Sequence, residues 1–337
     1  MKYFHVAANS QVAAIQAEPA WWDLKAGVAK TISLIKEAAS NGAEFIGFPE
    51  SFIPGYPLAI WAQPFNPVFL SKFQNNALSV HSPEFKEILD ATKEAGIWVL
   101  LGFTELDGAS MYAAQVIINS EGLVVLHRRK IKATGQERTI WGDAPADSLQ
   151  SAVKGPGGAI IGGLMCWEHM QPLLRYHHYS LGVQVHVASW PYCDSVANGA
   201  PPQFSSDAQV VQSKFAALEG QMFVISSTQI INSKNAELCG VKGALHWEMP
   251  HGGGFAAIYG PDGTQLTPPT KPDEEIILYA DIDLEATKLA KLTADAVGHY
   301  SRPDLLSLRV NKRINPLVSY DGAEDQQDYT LLSRIVQ

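Results

Sequence analysis

Residues 162–169 read GGLMCWEH, and this stretch decides the fold. An apolar run reaches Cys166 and then breaks into Trp167, Glu168 and His169. That pattern predicts a buried strand whose tip carries a thiol, followed at once by a helix start. A lone buried cysteine most often packs as a small hydrophobe. Here two further sites share its setting. Glu50 closes the run AEFIGFPE, and Lys130 lies in HRRKIKAT after a second apolar run. A thiol, an acid and an amine, each at the end of its own apolar run, form a set able to carry nucleophilic chemistry.

Working outward, short apolar runs alternate with helical patterns. Residues 11–17 (QVAAIQA) predict a strand, and Leu24, Val28, Ile32, Ile35 and Ala39 predict an amphipathic helix stopped by Asn41-Gly42. AEFIGFPE, IWVLLGF, IIGGLMC, VQVHVASW, MFVISSTQII, GGFAAIYG and EEIILYADI predict strands. MYAAQVIINS and LVVLHR, joined by Glu121-Gly122, predict a hairpin. Helices are expected over 84–95, 170–181, 206–220 and 284–293, with Val211, Phe215 and Leu218 sharing one face of the third. Such near-continuous apolar strands call for burial on both faces. Two stacked sheets between helical layers provide it.

Four segments carry a family resemblance: FPESFIPGYP (48–57), HRRKIKATGQERTIWGD (127–143), GGLMCWEHMQPLLRYHHYSLGVQVHVASWP (162–191) and GGGFAAIYGPDG (252–263). With these the chain resembles the nitrilase superfamily of carbon-nitrogen hydrolases, and within it the nitrilase branch. The resemblance implies an α-β-β-α sandwich over residues 1–295, with 296–337 as a C-terminal tail that contacts a neighbouring copy. It implies a catalytic triad of Glu50, Lys130 and Cys166, with Glu137 beside it in support. Alternation along a strand leaves Lys130 and Lys132 equivalent; the family motif selects Lys130. Many nitrilases have histidine two residues before the second glutamate, where this chain has Gly135. His169 is expected at the pocket edge or helix start and not as the base.

The implied reaction is hydrolysis of an organic nitrile to a carboxylic acid and ammonia through a cysteine thioimidate and thioester. A cyanide or nitrile hydratase releasing the amide is the alternative, then an amidase, which CWEH argues against. A non-enzymatic scaffold is the reading least compatible with the intact triad. Trp167, Trp190, Tyr192 and Tyr56 are expected to contact substrate, and Trp61 lies near the same motifs. Aromatic walls suit an apolar or aromatic nitrile. The Trp167 backbone N–H is a candidate donor to the tetrahedral intermediate.

Composition bounds the rest. The 337 residues are 46% hydrophobic and 18% charged, with net charge −9 and pI about 5.6. That balance argues against nucleic acid or an anionic membrane as a partner. Cys166, Cys193 and Cys239 are too few and too far apart for a disulfide framework. MKYFHVAANS lacks the apolar core of a signal peptide, no apolar run is long enough to span a bilayer, and no N-x-S/T site occurs. These readings together predict a cytoplasmic protein. No cofactor and no metal are expected: HWEMPH (246–251) and His177-His178 do not match HExxH, and no CxxC occurs. The run Gly252–Gly254 lacks the Lys-Ser/Thr of a phosphate loop, and GPGG (155–158) reads as a turn. The superfamily implies a homodimer, extended in nitrilases to a larger or spiral homo-oligomer.

Overall fold

A computed structural model describes residues 10–239, 251–313 and 335. The expected C-terminal tail beyond residue 313 (Ile335 apart), the first nine residues and most of HWEMPH lie outside the described residues.

The chain runs β1 (Ser10–Ala17), α1 (Leu24–Ser40), β2 (Phe45–Gly47), α2 (Pro67–Asn75), α3 (Pro83–Ala95), β3 (Trp98–Asp107), β4 (Ser110–Ile118) and β5 (Val124–Arg129). It continues through β6 (Ala152–Lys154), β7 (Ile160–Met165), α4 (Pro172–Ser180), β8 (Val185–Trp190), α5 (Ser206–Gly220), β9 (Phe223–Gln229), β10 (Ala257–Tyr259), β11 (Ile276–Ile282) and α6 (Glu285–Ala294). Helix ends follow local chemistry. Ser82 caps α3 through the Phe85 N–H at 3.1 Å, Pro83 fills its first turn, and Gly96 closes it in the left-handed region at φ 67°.

The strands order as β5-β4-β3-β2-β1-β9-β8-β7-β6, with β11 on β1 and β10 on β9. Two sheets face each other within this ladder. Among the described residues their strands pair only at the end of β1, where Gln16 and Ala17 pair with Thr228 and Gln229. The predicted sandwich is therefore present, with its two sheets hinged along one strand.

Alternation sorts side chains into layers. Val99, Leu101 and Phe103 of β3 point outward to Val28 and Ile35 of α1 and Phe85 and Ile88 of α3. Leu100 between them points inward, toward Ile161, Val185, Val187 and Ile225 of the other sheet. Behind that second sheet, Trp190 and Val224 meet Tyr179 of α4 and Ala216 and Ala217 of α5. The result is α-β-β-α. The sheets approach so closely that a Cβ at Gly47 would stand 2.7 Å from a Val187 methyl.

Four sequence expectations shift. AEFIGFPE pairs only over β2, and GGFAAIYG only over β10, so most of each is irregular. The helix expected over 170–181 is α4, shortened at its start by a 3-10 turn at Cys166–Met170. Helix α2 was not expected. Its buried face is Phe73 alone, too little apolar periodicity to detect. The face of α5 bearing Val211, Phe215 and Leu218 points to solvent, because the helix packs through Gln209, Ser213, Ala216, Ala217 and Gly220.

Candidate active site

Three strand ends converge on one point. Glu50 lies three residues beyond β2, Lys130 directly follows β5, and Cys166 directly follows β7. β2 and β7 end here at their carboxyl ends within parallel pairs, the usual location of ligand sites in such sheets. The backbone at Glu50 is fixed by Gln229, whose amide donates to the carbonyls of Glu50 (2.6 Å) and Ser51 (3.2 Å). β3 passes so close that a side chain at Gly102 would collide with Pro49 and Glu50.

Lys130 Nζ donates to Glu50 Oε1 at 2.7 Å and to Glu137 Oε2 at 2.8 Å, and all three side chains are buried. A polar atom from each of Glu50, Glu137 and Cys166 lies within 4.8 Å of the other two. Those donors could gather a cation; Lys130, bonded to both carboxylates, already supplies a positive charge there. Glu137 also accepts from Tyr56 Oη at 2.8 Å and from the Thr134 N–H at 2.7 Å. Tyr56 in turn accepts from Trp61 Nε1 at 3.1 Å. Glu50 Oε2 is buried and has no hydrogen-bond partner among the described residues, so one lone-pair face of this carboxylate is available to take a proton.

The electrostatics follow from burial. Desolvation pushes Glu50 up to about 8, against the pull of Lys130 and with a push from Glu137. Burial and Glu50 raise the Cys166 thiol well above its ordinary value, with Lys130 opposing. Burial works against the charge on Lys130, but Glu137 and Glu50 outweigh it and hold the ammonium protonated. The resting thiol thus keeps its proton beside a carboxylate poised near neutral pH, the pairing general-base activation requires.

Cys166 has φ 45°, left-handed and unusual for a residue with a Cβ. Such a conformation costs about 1–2 kcal/mol and persists only when its surroundings impose it. One restraint is Glu168. Its carboxylate accepts from the Met165 and Ile131 N–H groups, both at 2.9 Å, on either side of the site.

A cleft of about 440 Å³, counted to its open mouth, leads to the thiol. Tyr56, Trp61, Trp167, Tyr192 and Phe204 supply its aromatic walls, with Leu58 and Pro191 beside them. Trp167 stacks on Phe204 at 4.7 Å with rings 16° apart.

The structure therefore brings together Glu50, Lys130, Glu137, Cys166, Trp167, Tyr192 and Tyr56. It does not bring Trp190. That ring is fully buried behind β8, donates to Ser213 Oγ at 2.8 Å and stacks on His169. Alternation explains the miss: Trp190 ends β8 pointing to the helical layer, and the chain turns into the cleft only at Pro191. Lys132 also lies apart, half-exposed and paired with Asp143 at 2.5 Å. β5 ends at Arg129, so alternation does not extend to Lys132. His169 lies in the 3-10 turn that follows the nucleophile, at a helix start as expected, but buried and not at the pocket edge. Phe204, Thr134, Gln209 and Cys193 line the cleft without having been anticipated. Phe204 sits in a loop with no periodic signal.

The model of the carbon-nitrogen hydrolase family matches residues 11–292. The chain belongs to the carbon-nitrogen hydrolase family. Within the family it falls in the nitrilase branch. It is 46% identical over 315 residues to a nitrilase of Talaromyces marneffei, covering 92% of this chain and 97% of that one. It is 45% identical over 308 residues to an aliphatic nitrilase of Rhodococcus rhodochrous, covering 90% and 83%. To a cyanide hydratase of Armillaria gallica it is 45% identical over 321 residues, covering 94% and 89%. The carbon-nitrogen hydrolase fold is seen again in the amidase from Nesterenkonia sp. AN1, with a TM-score of 0.64 over 90% of this chain and 98% of that one, at 14% identity.

Proposed function

We propose that this chain is a nitrilase that converts an organic nitrile to its carboxylic acid and ammonia. The observation that carries the reading is the single cluster of Cys166, Glu50 and Glu137 around Lys130. Glu50 accepts the thiol proton as sulfur bonds to the nitrile carbon. The displaced π electrons go to nitrogen, which takes that proton, giving a thioimidate. Water adds with Glu50 again accepting a proton, and the Trp167 N–H and the Lys130 ammonium stabilise the tetrahedral intermediate. Glu50 passes that proton and then the hydroxyl proton to nitrogen, so breaking C–N expels ammonia and leaves a thioester, which a second water hydrolyses to the acid and the free thiol. Glu137 holds Lys130 in place.

The identity to a cyanide hydratase supports a second outcome at one branch point. If the tetrahedral intermediate breaks C–S instead of C–N, the amide leaves and no ammonia forms. The aromatic cleft favours an apolar or arylaliphatic nitrile.

The same reading extends to assembly. The outward apolar faces of α4 and α5, with Leu173, Val211, Phe215 and Leu218 exposed, suit a two-fold contact with a second copy. Residues 296–337 would follow the 1–295 catalytic domain as a further contact, extending pairs into a larger or spiral assembly. Cys166, Cys193 and Cys239 are all free and buried, which fits a reducing cytoplasm. Among the described residues no helix is long and apolar enough to cross a membrane.

Product analysis with phenylacetonitrile, a short dinitrile and cyanide, alongside Cys166→Ala, tests the activity. Acid with stoichiometric ammonia, absent in the variant, is expected. Amide without ammonia would establish a hydratase, and no turnover of any nitrile would overturn both.

A further inference from the structure

A chain of buried hydrogen bonds starts at the backbone carbonyl of Cys166 and runs away from the cleft. Cys166 O is 2.7 Å from His169 Nδ1, and His169 Nε2 is 2.8 Å from His186 Nε2. His186 Nδ1 is 2.9 Å from His178 Nε2, and His178 Nδ1 is 2.7 Å from Ser151 Oγ. All three imidazoles and Ser151 are buried. None of the three takes a part in the triad chemistry.

The first contact fixes all the others. A carbonyl oxygen only accepts, so His169 Nδ1 carries a proton. In a neutral ring His169 Nε2 must then accept, so His186 donates from Nε2 and accepts at Nδ1. His178 donates from Nε2 in the same way, and Ser151 donates its hydroxyl to His178 Nδ1. One tautomer per ring satisfies every atom. Neutral rings agree with the surroundings: burial, then the neighbouring histidines and Arg128, holds His186 and His178 well below ordinary histidine. Burial takes His169 to about 4, with Glu168 opposing and Arg175 and Arg128 adding to the fall.

The chain ends on the one peptide whose orientation the chemistry needs. In a trans peptide, C=O and N–H point to opposite sides. Holding the Cys166 carbonyl toward His169 turns the Trp167 N–H the other way. It does so at a residue whose φ of 45° is not self-sustaining. Trp190 braces His169 from one face, its ring 4.8 Å away and 28° from parallel.

We propose that His169, His186 and His178 form a fixed-tautomer positioning chain that sets the Cys166–Trp167 peptide, and with it the donor to the tetrahedral intermediate. Its kinetic part rests on the nitrile-hydrolysis reading; its tautomers do not.

Two measurements test it. Nitrogen NMR of 15N-histidine-labelled protein, assigned with single-histidine variants, should show three neutral rings, Nδ1-protonated at His169 and Nε2-protonated at His186 and His178. An imidazolium, or an Nε2-protonated neutral His169, would overturn the chain. Steady-state kinetics on phenylacetonitrile should show His169→Leu losing about 10–100-fold in kcat with little change in KM, as expected when a transition-state donor is misaimed. His169→Asn places an amide N–H near Nδ1 and should recover most of that loss. Wild-type kcat in His169→Leu, or an equal loss in His169→Asn, would reduce the histidines to packing. Should the wild type turn over no nitrile, the activity reading fails, and the nitrogen shifts alone decide the chain.

Discussion

Arg128 and Glu168 form a two-pronged ion pair, 2.6 and 2.9 Å, with both side chains wholly excluded from solvent. Burial alone would raise the Glu168 carboxyl, but Arg128 outweighs it and holds the group ionised. Arg128 stands on β5, two residues before Lys130, whose N–H donates to the Ala113 carbonyl, and Glu168 follows Cys166 by two residues. The pair thus ties the strand end bearing the amine to the strand end bearing the thiol. Breaking a buried pair from one side leaves a charge without a partner. Glu168→Gln is expected to cost about 3–5 kcal/mol in denaturant unfolding. It should also lose most of its activity at temperatures where it remains folded.

Glu50→Gln should lower kcat/KM by at least about 100-fold, the usual scale for losing a general base. In the wild type kcat/KM should rise as pH climbs through about 8, where Glu50 ionises. The same shift sets a stability trend. Folded Glu50 keeps its proton from its ordinary 4.5 up to about 8, while the unfolded chain releases it. Stability therefore falls with rising pH across that window. Glu50→Gln lacks this slope, so its Tm should gain on the wild type between pH 5 and pH 8.

The two lysines should separate cleanly. Lys130→Met strands two buried carboxylates and should both abolish turnover and cost about 3–5 kcal/mol. Lys132→Met removes only an exposed pair, worth about 0–1 kcal/mol, and should turn over near the wild-type rate.

Phe204→Ala removes the ring stacked on Trp167. Aromatic pairs contribute about 0.5–1.5 kcal/mol beyond area burial, so KM for phenylacetonitrile should rise about 2–10-fold. KM for propionitrile should change less. Equal changes for both would remove Phe204 from the acyl-side wall.

Phe215→Asp with Val211→Asp places charge on the outward face of α5 while leaving its packed face untouched. Size-exclusion chromatography should show a smaller assembly than the wild type at equal concentration. An unchanged elution volume would place the two-fold contact elsewhere.

The fold was legible because its strands are buried on both faces and so read as unbroken apolar runs. Leu100 and Leu101 serve opposite layers, yet both must be apolar. Cys166 and Glu50 were legible for the same reason, as polar interruptions at the ends of such runs. Lys130 was not separable from Lys132 by periodicity, since that depended on β5 ending at Arg129. Trp190 and Tyr192 looked alike in sequence; one turn of chain at Pro191 sends them to different layers. Phe204 reaches the cleft from a distant loop, and no local pattern marks such a meeting. The three histidines are 8 to 17 residues apart, on a 3-10 turn, on α4 and on β8, and only the packing of turn and helix against that strand aligns them.

The sharing of one ammonium between Glu50 and Glu137 bears on what the cleft can retain. A neutral nitrile enters without disturbing that charge balance. Below about pH 8 Glu50 keeps its proton and Glu137 already pairs with Lys130, so the carboxylate it becomes is an anion with no cation of its own, in a site that leaves little water to screen it. Turnover would then convert a guest the site tolerates into one it repels, and the exit of product needs no moving lid.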